Sequence, residues 1–208
     1  EDVLHGGEGG DTLRGGVGAD SFYGGVGSDL VVGDRGADVI DGVSGADTLD
    51  GGDDNDTLIY DVDDRSVMGG HGTDTLLVSR QVEVDLSTGP SFDSIEIVSM
   101  AGNGANSLTL SLESFTRQDA DGNDNGLTSG VVIDGEDVDT LILNGAWAKG
   151  AVDGDGRVEY SITNPDTDPE TTYTVKANPE LQIVRLISGD GQLAGTGSGD
   201  LIEGGDGN

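Results

Sequence analysis

The chain has 208 residues, 38 of them glycine, and its 41 Asp plus Glu against 9 Lys plus Arg give a formal net charge of -32. That charge excludes nucleic acid as a partner, since phosphate would be repelled and no counterions released, and it opposes docking on an anionic membrane surface. There is no cysteine for disulfides or thiolate metal sites, and no 18-residue apolar run that could span a bilayer.

Acidity on this scale, with 4% aromatic residues, ordinarily leaves a chain disordered unless a cation offsets the self-repulsion. Loops rich in Asp and Gly point to a hard cation held through oxygen. Residues 1–20 have neither the basic start nor the apolar centre of a signal peptide. Both ends of the chain fall in the middle of a repeat unit, which suggests a piece of a longer protein.

Residues 1–77 follow a nine-residue period. With Gly6 and Gly7 as positions one and two, position six is Asp2, Asp11, Asp20, Asp29, Asp38, Asp47, Asp56 and Asp74. Position eight is Leu4, Leu13, Phe22, Val31, Ile40, Leu49, Leu58, Val67 and Leu76, apolar throughout. Two residue classes keeping one phase cannot be low-complexity disorder. Glycine recurs at positions one, two and four: Gly6, Gly7 and Gly9; Gly15, Gly16 and Gly18; Gly24, Gly25 and Gly27; Gly33 and Gly36; Gly42 and Gly45; Gly51 and Gly52; Gly69, Gly70 and Gly72. The expectation is a positive φ at all three positions, giving a sharp turn without a Cβ clash.

Positions seven to nine then form a short strand whose central side chain points inward. One unit cannot bury that side chain alone, so units must stack into a solenoid, two per coil. Neighbouring coils sit roughly 4.8 Å apart, the ordinary strand spacing. Residues 18 apart thus become neighbours. One edge carries the pairs Asp2/Asp20, Asp20/Asp38, Asp38/Asp56 and Asp56/Asp74; the other carries Asp11/Asp29 and Asp29/Asp47. Paired carboxylates repel unless a cation lies between them. With turn carbonyls left uncovered by glycine, each pair offers the oxygen set Ca2+ prefers, about six sites in all.

The unit Gly-Gly-x-Gly-x-Asp-x-apolar-x resembles the calcium-binding nonapeptide of RTX proteins. The resemblance covers residues 1–77 and returns at Gly195-Thr196-Gly197-Ser198-Gly199-Asp200 and Gly204-Gly205-Asp206-Gly207. It implies an all-β chain: a parallel β-roll over 1–79, a β-rich module over 80–187 (sandwich-like or an extension of the solenoid), and the start of a second roll over 188–208, with Asp200 as a further ligand. It also implies type I secretion and folding driven by calcium outside the cell.

The unit Tyr60 to Met68 keeps Val67 but loses every glycine and puts Arg65 where the Asp belongs. Either the Arg65 cation replaces a calcium against Asp47, or Asp63 or Asp64 shifts in as ligand; a lost or altered site is expected.

After Leu77 the pattern changes to period two, that of half-buried strands. The runs are Val82 to Leu86, Ile95 and Ile97, Leu108 to Leu112, Val158 to Ile162, Tyr173 and Val175, and Leu181 and Ile183. The short runs Val131 to Ile133 and Leu141 to Leu143 read as fully buried strands. Ser111 to Gln118 could form a short helix, and Trp147 reads as a core plug. The stretches Ser94 to Leu112 and Val132 to Leu141 resemble modules that follow β-rolls in large RTX adhesins. Asp121, Asn123 and Asn125 open like an EF-hand loop, but Val132 stands where its bidentate Glu should be. Either a metal site or a plain surface loop fits. Asp153-Gly154-Asp155-Gly156 reads as a hairpin turn.

No catalytic constellation is legible. His5 and His71 belong to no zinc helix, and no Gly-x-Ser-x-Gly elbow occurs. Paired carboxylates are too common to indicate glycosidase chemistry. The reading is a non-enzymatic, calcium-folded structural module of a secreted RTX adhesin or extracellular fibre, located outside the cell or at its surface. The alternatives are the accessory region of a secreted metalloprotease, lipase or alginate epimerase, or a carbohydrate-binding module. Expected partners are flanking repeats of the same protein and a surface glycan or protein ligand. Glu1 and Asn208 both occupy position five of a unit, which suits head-to-tail assembly.

Overall fold

The computed structural model describes residues 1–78, 83–86, 91–102, 104–116, 127, 129–136, 139–166 and 169–186. Its first part is a regular parallel coil of β1 (Val3–Glu8), β2 (Thr12–Val17), β3 (Ser21–Val26), β4 (Leu30–Arg35), β5 (Val39–Ser44), β6 (Thr48–Asp53), β7 (Thr57–Ile59), β8 (Ser66–His71) and β9 (Thr75–Leu77). Odd strands stack in one sheet and even strands in another. Leu4 pairs with Phe22, and Leu13 with Val31, so one coil is two nine-residue units as the period predicts. The position-eight side chains from Phe22 to Leu76 meet between the sheets and are fully buried. Leu4 and Leu13 pack against the same core from its first coil.

Most of these strands run longer than three residues. β2 continues from positions seven to nine through Gly15, Gly16 and Val17 of the next unit, and Gly16 remains in register with Asp34. The glycine pair thus lies inside the ladder as well as entering the turn.

Beyond residue 79 the coil lengthens without a break in the first sheet. The strands are β10 (Glu83–Asp85), β11 (Ser91–Asp93), β12 (Ile97–Ser99), β13 (Ser107–Leu110), β14 (Val131–Asp134), β15 (Thr140–Asn144), β16 (Ala148–Val152), β17 (Val158–Asn164), β18 (Thr171–Ala177) and β19 (Gln182–Leu186). The first sheet runs β9–β12–β14–β18 in parallel, then ends in the antiparallel pair β17 and β16. The second sheet ends at β11, and β10–β13–β15–β19 form a third, all-parallel sheet.

Local readings largely hold here. The Asp153 carboxylate accepts the N–H groups of Asp155 and Arg157 in the hairpin turn between β16 and β17. Trp147 is buried, donates its Nε1–H to the Asn144 carbonyl and meets Phe115 edge-on. Phe115 belongs to α1 (Glu113–Thr116), the one helix among the described residues. Two expectations change. Val132 and Ile142 are half-exposed, so β14 and β15 are buried on one face only. β11 and the wholly exposed β16 have no apolar alternation and were not legible.

Candidate metal centre

The turn spans positions two to six, and its glycines serve two different needs. At positions two and four the backbone is left-handed, as at Gly16 (φ 97°) and Gly18 (φ 131°). A Cβ at Gly25 or Gly27 would also strike the Gly7 or Gly9 carbonyl of the preceding coil. At position one, contrary to expectation, φ is not positive. That glycine instead keeps a space open. A Cβ on Gly15 would stand 2.7 Å from Asp20 Oδ2 and 2.8 Å from the Gly33 carbonyl oxygen. At Gly24 the same two neighbours are Asp29 Oδ2 at 2.6 Å and the Gly42 oxygen at 2.8 Å. Gly6, Gly33 and Gly51 repeat the arrangement with Asp11, Asp38 and Asp56.

The position-six carboxylates are folded back under the turns. Oδ1 of Asp20, Asp38, Asp56 and Asp74 accepts the backbone N–H of Asp2, Asp20, Asp38 and Asp56 respectively, at 2.7–2.8 Å. On the other edge, Asp29 and Asp47 accept from Asp11 and Asp29. All six pairs read from the sequence are therefore joined, by amide and carboxylate rather than by two facing carboxylates. The second oxygens are different. Oδ2 of Asp11, Asp20, Asp29, Asp38, Asp47, Asp56 and Asp74 is buried and has no hydrogen-bond partner.

A buried acceptor left unpaired costs about 1–3 kcal/mol, and more when charged. Burial is the main reason the Asp38, Asp47 and Asp74 carboxyls are pushed above the ordinary range, and it takes Asp56 to about 7. The N–H from the preceding coil pulls each the other way. Except at Asp47, each of these orphaned Oδ2 atoms shares its glycine-lined space with a carbonyl oxygen, so two electron-rich atoms face one gap. Such a donor set fits a hard divalent cation. Among the described residues no three acidic or His side chains cluster, so much of any coordination shell must come from the backbone.

Two overlapping stretches, residues 1–31 and 23–58, match the family model of the RTX calcium-binding nonapeptide repeat (4 copies). Residues 1–58 are RTX calcium-binding repeats. No curated protein and no solved structure matches the chain.

In the RTX roll the irregular unit has its own geometry. Arg65 is exposed, as is Asp63, whose N–H donates to Asp61 Oδ1. Asp64 is buried; its Oδ2 accepts the Asp61 N–H while Oδ1 is orphaned, and burial lifts its carboxyl to about 7. At Gly42, next to this unit, the three nearest atoms all belong to Asp47 and none is a carbonyl oxygen. Arg65 holds the backbone place of the Asp, its N–H bonded to the Asp47 carbonyl, but its side chain is exposed, and the geometry favours Asp64 over Asp63 as the shifted acid.

Two groups outside the nonapeptides were missed by the period. Glu96 directly precedes β12 and accepts the Asp74 N–H through Oε2 at 2.9 Å. Asp139 directly precedes β15 and accepts the Asn106 N–H through Oδ1 at 2.8 Å. Unlike the roll carboxylates, Asp139 is fully paired. Its Oδ2 takes the Glu136 N–H at 2.8 Å, and Oδ1 also takes the Asn106 side-chain amide at 3.2 Å. Coils of changed length hid both from a nine-residue phase. The loop residues Asp121, Asn123 and Asn125, and Asp200 with the 188–208 segment, lie outside the described residues.

Proposed function

We propose that this chain is a calcium-folded structural module of a secreted RTX protein, of the adhesin or extracellular-fibre kind, and that it is not itself catalytic. The observation that carries the reading is the row of buried, unpartnered Oδ2 atoms of Asp11, Asp20, Asp29, Asp38, Asp56 and Asp74, each opposite a carbonyl oxygen. The residues suited to hold Ca2+ are the position-six Asp and the position-one glycine one coil later: Asp11 with Gly24, Asp20 with Gly33, Asp29 with Gly42, Asp38 with Gly51, and Asp56 with Gly69. When bound, calcium supplies the positive charge that these oxygens lack. The chain's own part is to bring the oxygens together only when coiled, so affinity for the ion becomes folding free energy.

Ordering of the roll is then set by free calcium. Sites of the extracellular class, with Kd about 10⁻⁴–10⁻³ M, stay empty in the cytosol and fill outside it. A chain that is loose before export and stiff after it suits a spacer that spans distance rather than one that performs chemistry. The test is calcium titration of the full chain followed by far-ultraviolet circular dichroism. Expected is a cooperative gain of β signal at millimolar calcium, reversed by a chelator. A β signal indifferent to both would overturn the reading.

A further inference from the structure

The family match ends at residue 58, and the last clean nonapeptide ends with Leu77, yet the site geometry does not stop there. Ile97 pairs with Thr75 and Val98 with Leu76, so β12 stacks on β9 as each earlier strand stacks on its predecessor. Glu96 therefore stands where an Asp stood in the preceding coils. Asp56 gives its N–H to Asp74 Oδ1 at 2.8 Å, and Asp74 gives its own to Glu96 Oε2 at 2.9 Å. The coil joining them is 22 residues long instead of 18. The extra methylene of Glu fits a coil that has lost the nonapeptide turn.

The remaining parts of the repeated site are present too. Asp74 is 0% exposed, and its Oδ2 has no partner. A Cβ on Gly69 would stand 2.7 Å from that oxygen and against the Ser94 carbonyl. In earlier coils the carbonyl at this point belongs to a position-one glycine. Here the chain reaches it by holding Ser94, a non-glycine residue, at φ 53°.

We propose that the divalent-cation site of the last nonapeptide is completed by residues beyond the motif: Asp74 Oδ2 and the Ser94 carbonyl share the space kept open by Gly69, and Glu96, joined to the Asp74 N–H, adds its charge beside them. The site joins the last regular coil of the roll to the longer coils beyond, so that the same ion that orders the roll also fastens β12 to β9. The proposal rests on the calcium reading of the roll, and it adds to the last nonapeptide two residues, Ser94 and Glu96, that no repeat motif would count.

The test is calcium stoichiometry of the full chain by native mass spectrometry, with hydrogen exchange at residues 91–99 as the local readout. Glu96→Gln keeps an acceptor for the Asp74 N–H and removes the charge; Asp38→Asn does the same within the nonapeptides. The expected result is that Glu96→Gln binds one ion fewer than the parent chain and loses calcium-dependent protection in β12, while β2 to β6 stay protected. Glu96→Asp, which restores the charge, should recover at least part of the affinity. If Asp38→Asn loses an ion and Glu96→Gln does not, the junction site is wrong and the roll reading stands. If the parent chain binds no calcium, both fall together.

Discussion

Asp38 and Asp139 occupy the same point of their coils, one residue before a parallel strand, and each accepts the backbone N–H of the residue one coil earlier. They differ in the second oxygen. Asp139 Oδ2 receives the Glu136 N–H, and the neighbouring coil supplies Asn106 with a further donor. Asp38 Oδ2 faces only the Gly51 carbonyl across the space beside Gly33. The same backbone register has been closed in two ways, by protein donors in the long coils and by nothing the protein itself supplies in the short ones. A nine-residue unit has no spare amide to spend on the carboxylate. A coil of 33 residues does.

The largest consequence concerns calcium. A ligand at ten times its Kd adds about 1.4 kcal/mol per site, so a row of sites adds several times that. Chelation should therefore strip hydrogen-exchange protection from β1 to β8 while β13, β15 and β19 keep theirs. Uniform loss over both regions would break the comparison. Protons should replace part of the ion. In the metal-free roll Asp56 and Asp64 have carboxyls raised to about 7 by burial, so the folded chain binds their protons more tightly than the unfolded chain does. Stability then falls as pH rises from the unfolded value near 4 toward 7, and returns on acidification. The melting temperature of chelated protein should rise between about pH 8 and about pH 5; a fall over that range would refute the assignment.

The next effect is a pair of substitutions of opposite sense. Asp139→Asn sets an amide against the Glu136 N–H and should cost about 1–3 kcal/mol whether or not calcium is present. Asp38→Asn keeps the Oδ1 acceptor for the Asp20 N–H, and its new amide can donate toward the Gly51 carbonyl. It should therefore stabilise the chelated chain by about 1 kcal/mol and destabilise the calcium-loaded one. Urea unfolding of both variants with and without calcium reads this directly. A loss for Asp38→Asn in both conditions would show that its second oxygen is already satisfied.

What was legible in the sequence follows from the same contrast. The short coils could be read because Asp at position six and an apolar residue at position eight report the turn and the core separately, and both recur within 18 residues. From Leu13 against Val31 to Leu58 against Leu76 the register is the one the period implies. The position-one glycines could be found but not understood, since a residue kept small for the space it leaves looks the same as one kept small for its φ. Glu96 was read as part of an alternating strand, because it is neither Asp nor in phase. Asn106 and Asp139 are 33 residues apart, and parallel pairing over such a distance leaves no local periodicity. β16 has no apolar face to announce it.

The smallest effect tests whether turn geometry is separable from the ion. Val43 occupies position two, where other units place glycine, and it holds φ at 74°, as Asp34 does in the unit before. A β-branched residue in this region carries strain of about 1–3 kcal/mol, partly offset because glycine would lose about 0.5–1 kcal/mol more backbone entropy on folding. The Val43 N–H already bonds to Asp41 Oδ1, so the turn itself does not depend on the side chain. Val43→Gly should therefore raise stability by about 1 kcal/mol, equally with and without calcium. A gain seen only in calcium would mean that the position-two backbone helps to shape the cation site, and that the turn and the ion cannot be treated as independent.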